Sequence, residues 1–187
     1  MTRKAGWNSS ASLGIGLVVL LVAVGSPHTA RGQQNSQSQP DKLVEIVRNA
    51  TQQYQNVANL PKSYAPALGC VSGPDHGAMG VHYVDGSLIN GGTLLSGQNL
   101  DPTRPQAIIY EPQANGEMKL VAIEFIILAS ALPPDAAPQV EGHLMQYIDG
   151  PNRYGLPAFF ELHVWAWRDN PLGSFVDWNN HVSCNGQ

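Results

Sequence analysis

Gln106-Ala107-Ile108-Ile109-Tyr110-Glu111-Pro112-Gln113-Ala114-Asn115-Gly116-Glu117-Met118-Lys119-Leu120-Val121-Ala122-Ile123-Glu124-Phe125-Ile126-Ile127-Leu128 is the strongest structural signal in this 187-residue chain. Two runs rich in aliphatic and β-branched residues flank a turn whose Asn115-Gly116 pair suits positive φ, which predicts an antiparallel hairpin of strands 106–111 and 117–128. Outward from it, similar runs bounded by Gly, Pro, Asn and Asp predict strands at 78–84, 139–148 and 158–167. Residues 85–105, rich in glycine and containing Asp101-Pro102, read as a long surface loop, and 170–184 reads as a loop strapped over the domain.

Ahead of the strands, apolar residues recur at Leu43, Ile46, Val47, Ala50, Tyr54, Val57 and Ala58 behind a candidate N-cap, Asp41. This spacing predicts one helix ending near Leu60-Pro61. The expectation is therefore an α+β domain in which an N-terminal helix packs on a mostly antiparallel sheet of about five strands. That sheet is expected to be curled or barrel-like.

The N-terminus carries Arg3 and Lys4 before an uncharged stretch, Leu13 to Val24. A basic region followed by about a dozen apolar residues is the export pattern, and the apolar core is short of the roughly 20 residues that span a bilayer. Ala30 and Gly32 suit cleavage after Gly32, so residues 1–32 are read as a signal peptide, 33–40 as a disordered polar linker and 41–187 as a single globular domain. Cleavage removes Arg3, Lys4 and Arg31 and no acid, lowering Lys+Arg from 10 to 7 against 14 Asp+Glu, a net charge of -7. An acidic domain without a basic stripe argues against nucleic acid as a partner. No stable membrane anchor is expected after cleavage, and the expected location is secreted or periplasmic. There the two cysteines, Cys70 and Cys184, are expected to form a disulfide, with free thiols or metal ligation as alternatives.

The chemistry-bearing residues fall on three strands. In Phe159-Phe160-Glu161-Leu162-His163-Val164-Trp165-Ala166-Trp167 a period of two separates an apolar face (160, 162, 164, 166) from a face carrying Glu161, His163, Trp165 and Trp167. The second face is a candidate pocket wall, with Glu161, Trp165 and Trp167 as binding residues. For the tryptophans the alternative is that Trp165 and Trp178 plug the core near the disulfide. His82 shares a strand face with Gly80, expected to leave space beside the imidazole, and Glu124 is the single charge in an apolar run. An unpaired buried carboxylate costs several kcal/mol, about the scale that forces it outward or toward a partner. His82, Glu124 and His163, with His76 as an optional fourth, are candidate ligands for a divalent transition metal such as zinc, copper or iron. A hydrogen-bonded structural His–Glu arrangement is the competing reading, and no high-specificity metal motif is present.

Cys70-Val71-Ser72-Gly73-Pro74, Gly77-Ala78-Met79-Gly80-Val81-His82-Tyr83-Val84, Ile109-Tyr110-Glu111-Pro112 and Leu162-His163-Val164-Trp165-Ala166-Trp167 through Cys184 resemble a family of uncharacterised exported bacterial proteins. That resemblance implies export and a single domain, and it implies no activity. Two functions remain in competition: a binding or structural domain with a small-molecule pocket, its partner a small molecule or another protein, and a metal-binding protein or metalloenzyme. There is no G-x-S-x-G nucleophile elbow, so serine chemistry finds no support, and a hydrolase built on paired carboxylates from among Glu111, Glu124, Glu141 and Glu161 is a third reading that no spacing singles out.

Overall fold

Hydrophobic alternation along the central hairpin organises the whole domain. The computed structural model describes residues 40–73 and 75–186. The expected signal peptide, and all of the expected linker except Pro40, lie outside the described residues. The strands are β1 (Ala65–Pro66), β2 (Val71–Gly73), β3 (Gly77–Val84), β4 (Ala107–Pro112), β5 (Met118–Leu128), β6 (Gln139–Val140), β7 (His143–Leu144), β8 (Gln146–Ile148) and β9 (Phe159–Val164). Seven of them form one antiparallel sheet, ordered β1-β3-β4-β5-β9-β8 with β2 also on β3, while β6 and β7 pair separately. Among the described residues no pairing joins β8 back to β1 or β2, so the sheet is open and the barrel expected from the sequence is not formed.

The β4–β5 hairpin forms where expected, with Ile108 opposite Ile123 and Ala107 opposite Glu124. Its turn differs in detail: only Gly116 takes positive φ (82°), the Gly116 N–H donates to the Gln113 carbonyl, and Asn115 Oδ1 instead accepts from the Glu117 N–H at 3.0 Å. The longer connection relieves Asn115 of the left-handed backbone that a two-residue loop would impose. The expected strand 139–148 is broken into three pieces because Glu141 and Gly142 both take positive φ (49° and 86°), which folds β6 back on β7. The 85–105 segment is anchored, with Leu88 and Leu100 buried and bridges joining Leu94 to Leu100 and Asn99 to Gln139.

Helix α1 (Lys42–Thr51) begins at Asp41, whose side chain accepts from the Leu43 N–H at 2.8 Å. The α-helical part stops well before Leu60: Thr51 turns its hydroxyl back to the Val47 carbonyl, and 3-10 turns follow over Gln52–Gln55 and Val57–Asn59. Polar Gln52, Gln53, Gln55 and Asn56 supply too little apolar surface to hold a longer amphipathic face. Leu43, Val44 and Val47 pack on Ile108, Tyr110, Ile123, Phe125, Ile127, Leu162 and Val164, the main core on one face of the sheet.

The opposite face is covered by the C-terminal strap. Cys184 is joined to Cys70 across 114 residues, and Asn179, fully buried, exchanges two backbone hydrogen bonds with Ala78. Closing a loop of that length is worth about 4 to 5 kcal/mol in the chain-entropy account. Gly80 lies beneath this face at φ 110°, where a Cβ would sit 2.6 Å from the Tyr110 carbonyl oxygen. It therefore serves the close packing of β3 on β4.

Candidate metal centre

Three adjacent side-chain rows on the strap face assemble the site. Glu124 on β5 sits directly opposite His163 on β9, and on its other side faces Ala107 of β4. His82, on β3, pairs with Ile109 of the same β4 strand, so it must reach across β4 to meet Glu124. The single methyl of Ala107 leaves the space. His82 Nε2 consequently lies 3.5 Å from Glu124 Oε2 and 3.5 Å from His163 Nε2, with the two rings edge-on at 87°. His163 Nδ1 points the other way, 3.9 Å from Glu124 Oε1 and 3.8 Å from Asp177 Oδ1 of the strap. All three sequence-predicted ligands, His82, Glu124 and His163, thus converge in the interior, each at most 6 % exposed.

Burial dominates the electrostatics. It lowers His82 to about 4 against a weak opposing pull from the Gly80 backbone, and it pushes His163 well below its ordinary value, helped by His82. Burial also raises Glu124 well above the carboxylate range, reinforced by Glu161, to which it is hydrogen-bonded, and by Asp177. Glu161 is raised to about 7 by burial and Asp177, with its Glu124 hydrogen bond opposing. Asp177 is itself raised by burial, and Gln146 counteracts this. Two neutral imidazoles and a cluster of desolvated carboxyls therefore face one another. Their imidazole–carboxylate separations exceed the 2.7–3.2 Å of ordinary hydrogen bonds. Among the described residues, the buried Nδ1 atoms of His82 and His163 lack a hydrogen-bond partner of normal geometry.

A cavity of about 150 Å³ opens in front of this cluster. His82, Glu124 and Glu161 form its polar floor, and Met79, Ile126, Leu156 and Phe159 are among its apolar walls. Glu161 thus lines this cavity, whereas Trp165 and Trp167 line a separate pocket beside Arg48, Arg168 and Asn170. Trp165 is 3 % exposed, stacks on His163 with ring centroids 6.3 Å apart, and donates its indole N–H to the Val176 carbonyl. Trp167 goes to the helix side, donating to Thr51 Oγ1 at 3.0 Å. Strand β9 ends at Val164, where the Ala166 N–H bonds the Val164 carbonyl in a tight turn about Trp165 and alternation stops. His76, the optional fourth ligand, is exposed beside Trp178 and outside the cluster. Sequence reasoning missed Asp177; its signal is that it is the single acid among the strap's apolar anchors Phe175, Val176 and Trp178.

Comparison with known protein families, curated proteins and solved structures finds no match to this chain. Its function must be read from its own residues.

Proposed function

We propose that this is an exported metal-binding domain whose centre is a divalent transition metal, zinc, copper or iron, held by His82, Glu124 and His163. The observation that carries the reading is the convergence of these three buried side chains, His82 Nε2 lying 3.5 Å from both Glu124 and His163 and His163 lying 3.9 Å from Glu124, all longer than ordinary hydrogen bonds. Metal–ligand bonds of about 2.0–2.1 Å in a tetrahedron place donors roughly 3.3 Å apart, and one donor atom from each of the three residues already lies within 4.8 Å of the other two. A structural His–Glu pair would instead contract to ordinary hydrogen-bond length and relieve the desolvation. Left as it stands, the cluster costs stability, and a cation bound only by the folded state offsets that cost. Three protein ligands with a fourth position open is the usual arrangement of catalytic sites. Glu161 and Asp177 sit where outer carboxylates hold and orient metal-bound groups.

Export is supported by the leader pattern at 1–32, by the resemblance to exported bacterial proteins, and by the Cys70–Cys184 disulfide. No helix among the described residues is long and apolar enough to cross a membrane.

The test is total metal content of the exported protein, purified without a polyhistidine tag, beside His82→Ala and His163→Ala. The expected result is near-stoichiometric metal lost in both variants. Wild-type protein that stays metal-free after challenge with zinc, copper and iron overturns the proposal.

A further inference from the structure

The cavity and the metal centre share a boundary. His82 and Glu124 line the cavity floor, whereas His163 lies behind them, against Asp177 and Trp165. A cation held by all three would therefore present its remaining coordination position to the cavity. The third polar floor group is Glu161, 2 % exposed and outside the proposed ligand set. Tyr154 also lines the cavity, and its hydroxyl donates to Met79 Sδ, a weak acceptor, at 3.7 Å. The remaining walls are hydrocarbon and aromatic. Ala67 and Leu68, both exposed, mark the rim.

Resting on the metal reading above, we infer that the cavity binds a small hydroxyl-bearing apolar molecule, a phenol or compact alcohol, whose oxygen completes the metal shell while its O–H donates to Glu161. Three features select this class. A cavity of about 150 Å³ holds a body of benzene size and little more. Apart from the Tyr154 hydroxyl, its walls are apolar and leave a further polar or charged group buried and unsatisfied. At the floor a single atom meets both a metal position and a carboxyl, and a hydroxyl serves both, with a lone pair for the metal and a proton for Glu161. A carboxylate head has no proton to give Glu161.

The experiment uses the full exported protein loaded with cobalt(II), whose visible absorption reports the donor set of the metal. Phenol and cyclohexanol are titrated in, with toluene and benzoate as controls. The expected result is a saturable band shift with phenol and cyclohexanol and none with toluene. Benzoate should be at least tenfold weaker than phenol. Leu156→Trp and Ile89→Trp, which fill the cavity from loops, should still take up cobalt but bind phenol at least tenfold more weakly. Glu161→Leu, compared at saturating cobalt, should also bind phenol at least tenfold more weakly. Cobalt uptake without a phenol-dependent shift overturns this inference and leaves the metal centre standing. A shift undiminished in both tryptophan variants places the phenol elsewhere and likewise overturns it. Absence of cobalt uptake by the wild type overturns the metal reading itself.

Discussion

The two faces of the central sheet are built on opposite principles. Toward α1, the alternating residues Ile123, Phe125, Ile127, Leu162 and Val164 meet Leu43 and Val47 in a close hydrocarbon layer. Toward the strap, the intervening residues of the same two strands are Glu124, Ile126, Glu161 and His163, lying against a cavity and an acid from a loop. One face derives stability from burial. The other spends some of it on buried ionisable groups, and the strap holds that face together through a disulfide, Asn179 and backbone bonds to Trp165. The lesson is that one pair of strands serves both ends, because a period of two delivers alternate side chains to independent environments.

This contrast can be broken at its strongest point first. Phe125→Ala, on the helix face, should cost about 3–5 kcal/mol in chemical denaturation, the scale for emptying a large buried aromatic site. Metal uptake by the fraction still folded should be unchanged. If uptake falls instead, the faces are not independent.

Replacing both cysteines, Cys70→Ser with Cys184→Ser, should destabilise the domain by about 4 kcal/mol, since a loop of 114 residues is released in the unfolded chain. The strap should loosen ahead of the helix face. Hydrogen exchange that speeds up at 174–183 before it speeds up in α1 is the expected pattern, and uniform acceleration would deny the strap its separate role.

Asn179→Ala removes a fully buried amide that donates to the Asp169 carbonyl and accepts from the His181 N–H. About 1–3 kcal/mol should be lost, because both backbone groups lose their partner. Cobalt affinity should weaken with it, through displacement of Asp177. Unchanged affinity would mean that Asp177 takes no part in holding the centre.

The smallest effect is the dependence of metal-free stability on pH, followed by thermal unfolding. Glu161 titrates at about 7 when folded against an ordinary 4.5, and Glu124 is raised further. The folded state then holds more protons than the unfolded one above pH 4.5, so these groups lower stability as pH rises through that range. His82, at about 4 against 6.5, and His163 act in the opposite sense: between about 4 and 6.5 the unfolded state binds more protons and stability rises with pH. Above pH 6.5 the histidine contribution is constant. Stability of the metal-free protein should therefore fall from pH 6.5 to 8, by about 1 kcal/mol and a few degrees in Tm. Glu124→Gln combined with Glu161→Gln should flatten the slope, and a slope that persists in this double variant would place its origin elsewhere.

Much of the helix face was legible in the sequence. Asp41 announced the start of α1, and the runs around Asn115-Gly116 announced the central hairpin, because caps, turns and alternation are local properties of the chain. Glu124 and His163 were legible for a related reason, each being a polar residue at a face position of an apolar strand. Trp167 was misplaced because a turn at Trp165 interrupts the alternation on which its placement depended. The split of 139–148 was missed because Glu141 adopts a left-handed backbone that glutamate rarely takes.

By itself the sequence determined the helix start, the central strands, which side chains share a face as far as Val164, and the single pairing open to two cysteines, since these follow from local geometry and from composition. Only the tertiary structure decided that the sheet stays open, that His82 reaches over Ala107 to Glu124, that Asp177 arrives from the strap, and that a cavity lies in front of them. Those outcomes depend on strand order and on which distant segments pack together, and neither is encoded in the spacing of neighbouring residues.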